Sequence, residues 1–242
     1  MTRIAVTFAL PAESSEFLRR LGNKARADRN RLRIVQGTIG ERTIEVLHTG
    51  VGEKICKERI GTFLQDQQFD LLISAGFAGA LNHELQINDL LVAKNFSTID
   101  LKQAHLLFSP LVIHPIDLLT VRAVIDSSEE RERMARESAA SAVDMETESI
   151  ARACAVHGIP LLALRVITDT PTQPFPAPPS VLFDIQQQRT HIAALAKFLL
   201  LNPSRLANLI RFASRIAAAR TILANSLVEI VHNLYAKAST TP

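Results

Sequence analysis

VDMETESIARACAVHGIPLLALRVITD, residues 143–169, is the stretch of this sequence that decides the fold class. It begins as a short strand pattern, passes into a helical pattern over residues 146–157, and returns to a strand pattern over Leu161–Thr168. Strands that alternate with helices over such distances are typical of βαβ units. The stretch therefore predicts an α/β protein.

The same alternation continues towards the first residue. Further strand patterns lie at Ile4–Ala9, Leu32–Ile39, Thr43–His48, Leu71–Ala75, Asp89–Ala93 and Val121–Ile125, with a short one at Ala142–Asp144. Helical patterns lie at residues 12–21, 53–67 and 128–138. Gly40-Glu41-Arg42 stands between two strand patterns and predicts a hairpin, so part of the sheet should be antiparallel. We expect a mixed sheet.

Charge is unevenly distributed along the 242 residues, which carry 27 Lys and Arg and 24 Asp and Glu side chains and are 47% hydrophobic. This balance excludes a disordered or fibrous chain. Residues 1–184 hold 20 basic and 23 acidic side chains, a net charge of −3, whereas residues 185–242 hold 7 and 1, a net charge of +6. We predict an α/β domain over 1–184 and a basic helical extension over 185–242.

The cysteines and the hydropathy bear on metal binding and location. Cys56 and Cys154 are too few for a disulfide framework, and Cys154 with His157 is at most half of a metal site, so we expect no metal. No apolar stretch approaches the roughly 18 residues that a membrane helix needs. We expect a cytoplasmic protein, and any membrane contact should be peripheral, at the inner face.

The composition of the sequence and its hydrophobic pattern change after Asp169. Five prolines lie within residues 171–179 and predict a stiff linker or a lid over a site. Residues 186–201 and 204–234 are helical in period, and the second segment places apolar residues on one side and arginines towards the other. The apolar residues are Leu206, Leu209, Ile210, Ala213, Ile216, Ala217, Leu223 and Leu227, and the arginines are Arg205, Arg211, Arg215 and Arg220.

This amphipathic pattern allows two interpretations. Most amphipathic helices pack on their own domain or on a partner subunit. A helix with a basic polar face can instead lie on a surface of anionic lipid. Nucleic-acid binding is disfavoured, because Phe212 and Tyr235 are the only aromatic residues of the basic stretch 204–242 and no reader motif is present.

Candidate site residues follow the strand patterns, because ligands of open α/β sheets bind at the carboxyl ends of the strands. Glu13, Glu146 and Asp169 are three carboxyl groups at such places, and Asp169 ends a strand that is apolar except for Arg165. A solvated Glu13 and a structural salt bridge at Asp169 are the alternatives. Carboxyl groups in different environments can protonate a leaving base, hold ribose hydroxyls and supply a nucleophile. The three together suggest cleavage of an N-ribosidic bond.

Two glycine-containing segments accompany these carboxyl groups. Thr49-Gly50-Val51-Gly52 could present backbone N–H groups to an anion or could be a tight connection, and Ile55 stands where a nucleotide fingerprint has its last glycine. The small residues of Ser74–Ala80 permit a ligand to approach the backbone closely.

Four segments together resemble the superfamily of nucleoside phosphorylases and methylthioadenosine/S-adenosylhomocysteine nucleosidases. They are SAGFAGAL at 74–81, NDLLV at 88–92, VDME at 143–146 and RVITD at 165–169. The resemblance covers about residues 1–170. It implies a three-layer α/β/α fold around a mixed sheet, usually in a homo-oligomer. A purine nucleoside is then the expected partner, with no cofactor and with inorganic phosphate as a candidate co-substrate.

The resemblance also implies roles for individual residues. Asp169 would be the acid for the purine leaving group, Glu146 would hold the ribose hydroxyls, and Glu13 would activate water. Met145 would pack beneath the sugar. The remaining substrate-binding candidates are Ala75, Gly76, Phe77 and Thr168, and the phosphate-binding candidates are Gly50, Gly52 and Gly76.

The sequence departs from the family pattern at the glycine-rich strand end and in the segment 93–141. Phosphorylases of the superfamily usually have an arginine and a Ser or Thr at the glycine-rich strand end, where this chain has Ser74 and Phe77, so phosphorolysis and hydrolysis both stay open. The segment 93–141 is shorter than in typical members of the superfamily and contains no clear base-stacking aromatic residue.

The layout of the chain resembles that of hopanoid-associated phosphorylases, which are thought to remove adenine from adenosylhopane. A soluble methylthioadenosine-type nucleosidase and a noncatalytic nucleoside-binding protein are the alternatives.

Overall fold

The computed structural model describes residues 2–101, 105–125, 127–178, 181, 183–184, 189–190 and 192–238. The strands are β1 (Arg3–Phe8), β2 (Gly22–Arg29), β3 (Leu32–Ile39), β4 (Arg42–His48), β5 (Leu71–Ala80), β6 (Leu90–Ala93), β7 (His114–Ile116), β8 (Leu118–Thr120), β9 (Ala142–Asp144), β10 (Leu161–Asp169), β11 (Phe183–Asp184) and β12 (Arg189–Thr190). The helices are α1 (Pro11–Arg20), α2 (Glu53–Leu64), α3 (Ser128–Ser138), α4 (Thr147–His157), α5 (Ile192–Leu201) and α6 (Leu206–Ala238), with 3₁₀ turns at His105–Phe108 and Pro203–Arg205.

The central sheet is mixed, as the sequence predicts. Its main order is β2-β3-β4-β1-β5-β10-β6-β7, and β9 pairs with both β5 and β8. The four strands β4, β1, β5 and β10 run parallel, whereas β2, β3 and β4 form an antiparallel meander and β6 runs antiparallel to β10. The carboxyl ends of β1, β5 and β10 therefore meet at one edge of the sheet.

Helices cover both faces of the sheet, because the parallel strands are apolar on both sides. Alternate residues of β1 show the two layers: Ile4 packs in a cluster with Phe17 of α1 and Leu227 of α6, while Ala5 packs in a second cluster with Ile60 of α2. The second cluster also includes residues of α4. The three-layer α/β/α arrangement predicted from the resemblance is confirmed.

Two sequence-based expectations about elements are wrong, and one strand was not predicted. Residues 121–125 were predicted as a strand, but they form a loop whose apolar side chains line a cleft. The edge strand β2 was not predicted, because GNKARADR is polar and mostly exposed and has no apolar alternation. The helix predicted over 186–201 begins at Ile192, after the two residues of β12, and residues 185–188 and 191 lie outside the described part.

The helix α6 divides into an exposed first part and a buried second part. Leu206 and Ile210 are 49% and 62% exposed, whereas Ala219, Leu223 and Leu227 are fully buried. The second part packs on α1 and β10, so the interpretation as a helix packed on its own domain holds there. The division of the chain at residue 184 stays a prediction. Among the described helices, none combines the length and the hydropathy needed to cross a membrane.

Candidate active site

The three predicted carboxyl groups line one cleft at the carboxyl ends of the parallel strands. The walls of this cleft include Glu13, Glu146 and Asp169. Met145, Phe77 and Thr168, which were predicted to bind substrate, line the same cleft. Ala75 and Gly76 line a smaller cavity that also borders Glu13, Phe77 and Glu146. The structure therefore brings these predicted residues together.

Glu13 is fixed between a helix start and a strand. It is the third residue of α1, where its Oε2 accepts a hydrogen bond of 2.9 Å from the N–H of Leu10, an arrangement that satisfies the free N–H groups of a helix start. Its Oε1 accepts a bond of 3.3 Å from the N–H of Phe77 in β5. Burial raises the pKa of Glu13, and these bonds and the charge of Arg165 oppose the rise. The alternative of a solvated Glu13 is wrong.

Asp169 lies at the end of β10, opposite Gly79 of β5. Its Oδ1 accepts a hydrogen bond of 3.0 Å from Thr168 Oγ1, and its Oδ2 forms an ion pair with the buried guanidinium of Arg131. Burial raises the pKa of Asp169, and Arg131 opposes the rise. A Cβ atom at position 79 would lie 2.7 Å from Asp169 Oδ2, so any other residue there would displace the Asp169 carboxyl group. Asp169 thus combines an ion pair with a place in the cleft wall.

Glu146 stands at the start of α4. Its Oε1 accepts a hydrogen bond of 3.1 Å from the N–H of Gly52. Burial and the negative charge of Asp144 raise the pKa of Glu146 to about 8. Glu148, two residues on, pairs with Arg152 at 2.5 Å. The prediction that Glu146 rather than Glu148 faces the strand ends is confirmed.

Sequence comparison decides the family. A model of the phosphorylase superfamily matches residues 3–116 and 112–201. The chain belongs to the phosphorylase superfamily. The predicted family and the predicted class of enzyme, a nucleoside phosphorylase or nucleosidase, are therefore confirmed. Enzymes of this class generally act without a cofactor.

Solved structures support the fold of this superfamily member, and no curated protein matches its sequence. The nucleosidase for 5′-methylthioadenosine and S-adenosylhomocysteine from Campylobacter jejuni is 17% identical with a TM-score of 0.72, over 96% of this chain and 99% of that one. A futalosine hydrolase mutant of Helicobacter pylori is 18% identical with a TM-score of 0.70 over the same shares. The Streptococcus pneumoniae nucleosidase, bound to a transition-state inhibitor, is also 18% identical with a TM-score of 0.70, over 96% and 100%.

Two buried arginines of this chain, Arg131 and Arg165, were not predicted as site residues. Arg165, the only charged residue of β10 before Asp169, is buried and pairs with Asp144 at 2.8 Å. Its isolation in an apolar strand was the available signal. Arg131 lies in a helix whose many charges are typical of a solvated surface, so the sequence carried no signal for its burial.

The predicted anion site at Gly50 and Gly52 is corrected by the backbone geometry. The N–H of Gly50 donates to the carbonyl oxygen of Ala9 at 3.0 Å, and the N–H of Gly52 donates to Glu146. Both N–H groups therefore already have an acceptor. For Gly76 the assignment stays a prediction.

The proline-rich loop borders the cleft. Phe175 of this loop is part of the cleft wall and makes an edge contact with Phe212 of α6, with ring centroids 5.5 Å apart. Phe77 and Phe175 are thus the aromatic residues in the described cleft wall. Pro179, the last residue of the predicted loop, lies outside the described part. Among the residues that the structure covers, no three potential metal ligands are grouped together.

Proposed function

We propose that this protein hydrolyses the N-ribosidic bond of a purine nucleoside. The observation that carries the proposal is the convergence of three carboxyl groups, from α1, the start of α4 and the end of β10, on one cleft. The structural neighbours are purine nucleosidases, which supports N-ribosidic cleavage.

Each carboxyl group has one task in this reaction. Water attacks the anomeric carbon of ribose while the bond from that carbon to the base nitrogen breaks. Glu13 accepts a proton from the water, and Asp169 gives its proton to the departing base. Glu146 accepts hydrogen bonds from ribose hydroxyls, and Met145 packs beneath the sugar. Burial of Asp169 in the cleft wall favours its protonated form, which an acid must have before the bond breaks, while the ion pair with Arg131 opposes this effect.

The arginines near the cleft already have hydrogen-bond acceptors, which favours water over phosphate as the nucleophile. In the described walls of the cleft and the smaller cavity, Arg131 and Arg165 are the only basic side chains. The five N–H groups of Arg165 face acceptors on Asp144, Thr147, Ser74 and Leu164. A phosphate dianion would therefore find carboxyl groups and arginines that are already paired.

The smaller cavity is a suitable place for the water. The buried Thr7 Oγ1 faces no hydrogen-bond partner among the described residues, and Thr7 lines this cavity together with Glu13 and Arg165. Unsatisfied buried hydroxyl groups commonly mark the position of an ordered water. A water bound there would lie beside the carboxylate that is proposed to activate it.

The finer proposal is that the substrate is an adenosine whose 5′ position carries a lipid, as in adenosylhopane. Its support is the exposed segment 205–211 at the start of α6, where Leu206 and Ile210 accompany Arg205 and Arg211. Apolar and cationic side chains on one exposed segment suit an anionic membrane surface. A homo-oligomer and a cytoplasmic location at the inner face of the membrane remain predictions.

Product analysis tests the proposed reaction. The protein is incubated with adenosine-type nucleosides, with and without phosphate, and the sugar product is identified. We expect free ribose without a phosphate requirement, and Asp169→Asn should abolish base release. Asp117→Asn, which changes a partly exposed aspartate outside the cleft that is paired with Lys94, should keep full activity. Ribose 1-phosphate as the product would refute hydrolysis, and binding without any base release would indicate a noncatalytic protein.

Vesicle sedimentation tests the finer proposal. Vesicles containing phosphatidylglycerol should bind the protein, and Leu206→Ala with Ile210→Ala should weaken that binding without slowing hydrolysis of a water-soluble nucleoside. Rapid turnover of a short methylthio-nucleoside by a protein that ignores vesicles would instead favour the soluble nucleosidase.

A further inference from the structure

The helix α3 buries an arginine where a helix ordinarily buries an aliphatic side chain. All of SEERERMARES is described, and Arg131 is its only buried residue, with 2% exposure. The helix begins with a side-chain cap, since Ser127 Oγ accepts a bond of 3.1 Å from the N–H of Glu130. Ser128 Oγ donates to the carbonyl oxygen of Pro171 at 3.2 Å, so the start of α3 is joined to the loop that follows Asp169.

The guanidinium of Arg131 has a fixed set of partners. Nη1 donates to the carbonyl oxygen of Ala80 at 2.8 Å, and Nη2 donates to the carbonyl oxygen of Ile125 at 3.1 Å and to Asp169 Oδ2. The pair lies against the bare backbone of Gly79, where an added Cβ would be 2.7 Å from Asp169 Oδ2 and 3.0 Å from Arg131 Nη1. Because residue 79 is a glycine without a side chain, there is room for the ion pair beside β5.

Stability does not account for such a pair. Moving two charges out of water is costly, and a well-packed apolar pair of similar volume is often at least as stable. An arginine that also donates to two carbonyl groups does, however, hold a carboxyl group in one position. The carboxyl group in question is the proposed acid.

We propose that Arg131 is a positioning residue for the leaving-group acid: it holds the Asp169 carboxyl against Gly79 and sets how readily that carboxyl gives up its proton. This inference rests on the proposed role of Asp169. Arg131 contacts Asp169 but does not belong to any of the four sequence segments that carry the family resemblance.

The surroundings of Asp169 isolate the effect of Arg131. Neither Gly79 on β5 nor any residue of β6 is charged, and the other ionisable groups of the described cleft wall are Glu13, Asp144 and Glu146, all negative when ionised. Arg131 is therefore the positive charge in contact with Asp169. An adjacent arginine typically lowers the pKa of an aspartate by about 1–3 units. Removing this charge should extend the protonated range of Asp169 upward.

The test is the pH profile of kcat/KM for nucleoside cleavage. In Arg131→Met the upper limb, where the acid loses its proton, should move up by about 1–3 pH units. Arg131→Lys keeps the charge and should leave the limb near its wild-type position. Arg133→Met is the matched control, since Arg133 lies on the same helix, is exposed and pairs only weakly with Glu130 at 3.7 Å, so its profile should overlay the wild type. A uniform rate loss in Arg131→Met with an unmoved limb would overturn the proposal.

A second measurement does not depend on turnover. Carbon-13 NMR of labelled aspartate carboxyl groups, with Asp169→Asn to assign the signal, gives the pKa of Asp169 directly. It should be higher in Arg131→Met than in the wild type. If Arg131→Met does not fold, Gly79→Ala separates the pair while keeping both side chains and should shift the pKa in the same direction. Unchanged titration refutes the inference about Arg131, whereas a wild type that releases no base refutes the proposed function alone.

Discussion

The buried pair of Asp144 and Arg165 offers a prediction whose size follows from its burial. The two side chains are 1% and 3% exposed, and Oδ2 of Asp144 lies 2.8 Å from Nη2 and 3.1 Å from Nε of Arg165. Asp144→Asn keeps the shape but leaves the guanidinium without its counter-charge. Breaking a buried pair in this way costs about 3–5 kcal/mol of the free energy of unfolding. Arg165→Met should cost a similar amount, because it leaves a buried carboxylate unpaired.

The double variant distinguishes this reasoning from simple loss of contacts. Asp144→Asn with Arg165→Met leaves no unpaired charge. Its cost should be the hydrogen bonds that Thr147 Oγ1, Ser74 Oγ and the carbonyl oxygens of Ser74 and Leu164 lose, each about 0.5–1.5 kcal/mol. The total, about 2–6 kcal/mol, is below the sum of the two single variants, which is about 6–10 kcal/mol.

Urea unfolding measures the cycle, and circular dichroism is the suitable signal because the chain contains no Trp. The slope of the free energy against urea should stay the same in all four proteins, so that midpoints report stability. Costs that add to within about 0.5 kcal/mol would show that the two residues are not coupled and would refute the reasoning.

Three further predictions concern ionisation and packing. Because an ionised carboxylate is the stronger acceptor, KM for a nucleoside should fall as the pH rises through about 8, the pKa of Glu146, and Glu146→Gln should remove this dependence. Leu227→Ala should cost about 2–5 kcal/mol in thermal unfolding, and Leu206→Ala at most about 0.5; equal losses would contradict the assigned burial. Burial raises the pKa of the Cys56 and Cys154 thiols to about 12, so a thiol reagent at pH 8 should label them only after unfolding.

The parallel centre of the sheet and the convergence of carboxyl groups were predictable from the sequence. Apolar runs such as Leu161–Thr168 mark strands buried on both faces, and a residue just after such a run lies at the ligand-binding edge. Residues 121–125 misled the same reasoning. Their apolar and β-branched side chains face the cleft rather than a neighbouring strand, and a local pattern does not distinguish these two environments.

The partners of charged residues were beyond local patterns. Arg131 stands among eight charged or polar neighbours in SEERERMARES, and only the fold brings it to Asp169, 38 positions later in the chain. The periodicity of α6 likewise predicts an apolar face without naming what covers it. Burial of Ala219 and Leu223 against α1 and β10 is a property of the assembled fold.

The position of α6 in the core also sets an order of events during synthesis. Asp169, the last of the three cleft carboxyl groups, is made about 60 residues before Val231, the last of the buried α6 residues in this core cluster. At about 5–20 residues per second, the ribosome needs roughly 3–12 s to cover this distance. During that time the face of β10 that packs against α6 in the folded protein lacks this contact. The nascent chain therefore completes its core only after every residue of the cleft has already been synthesised.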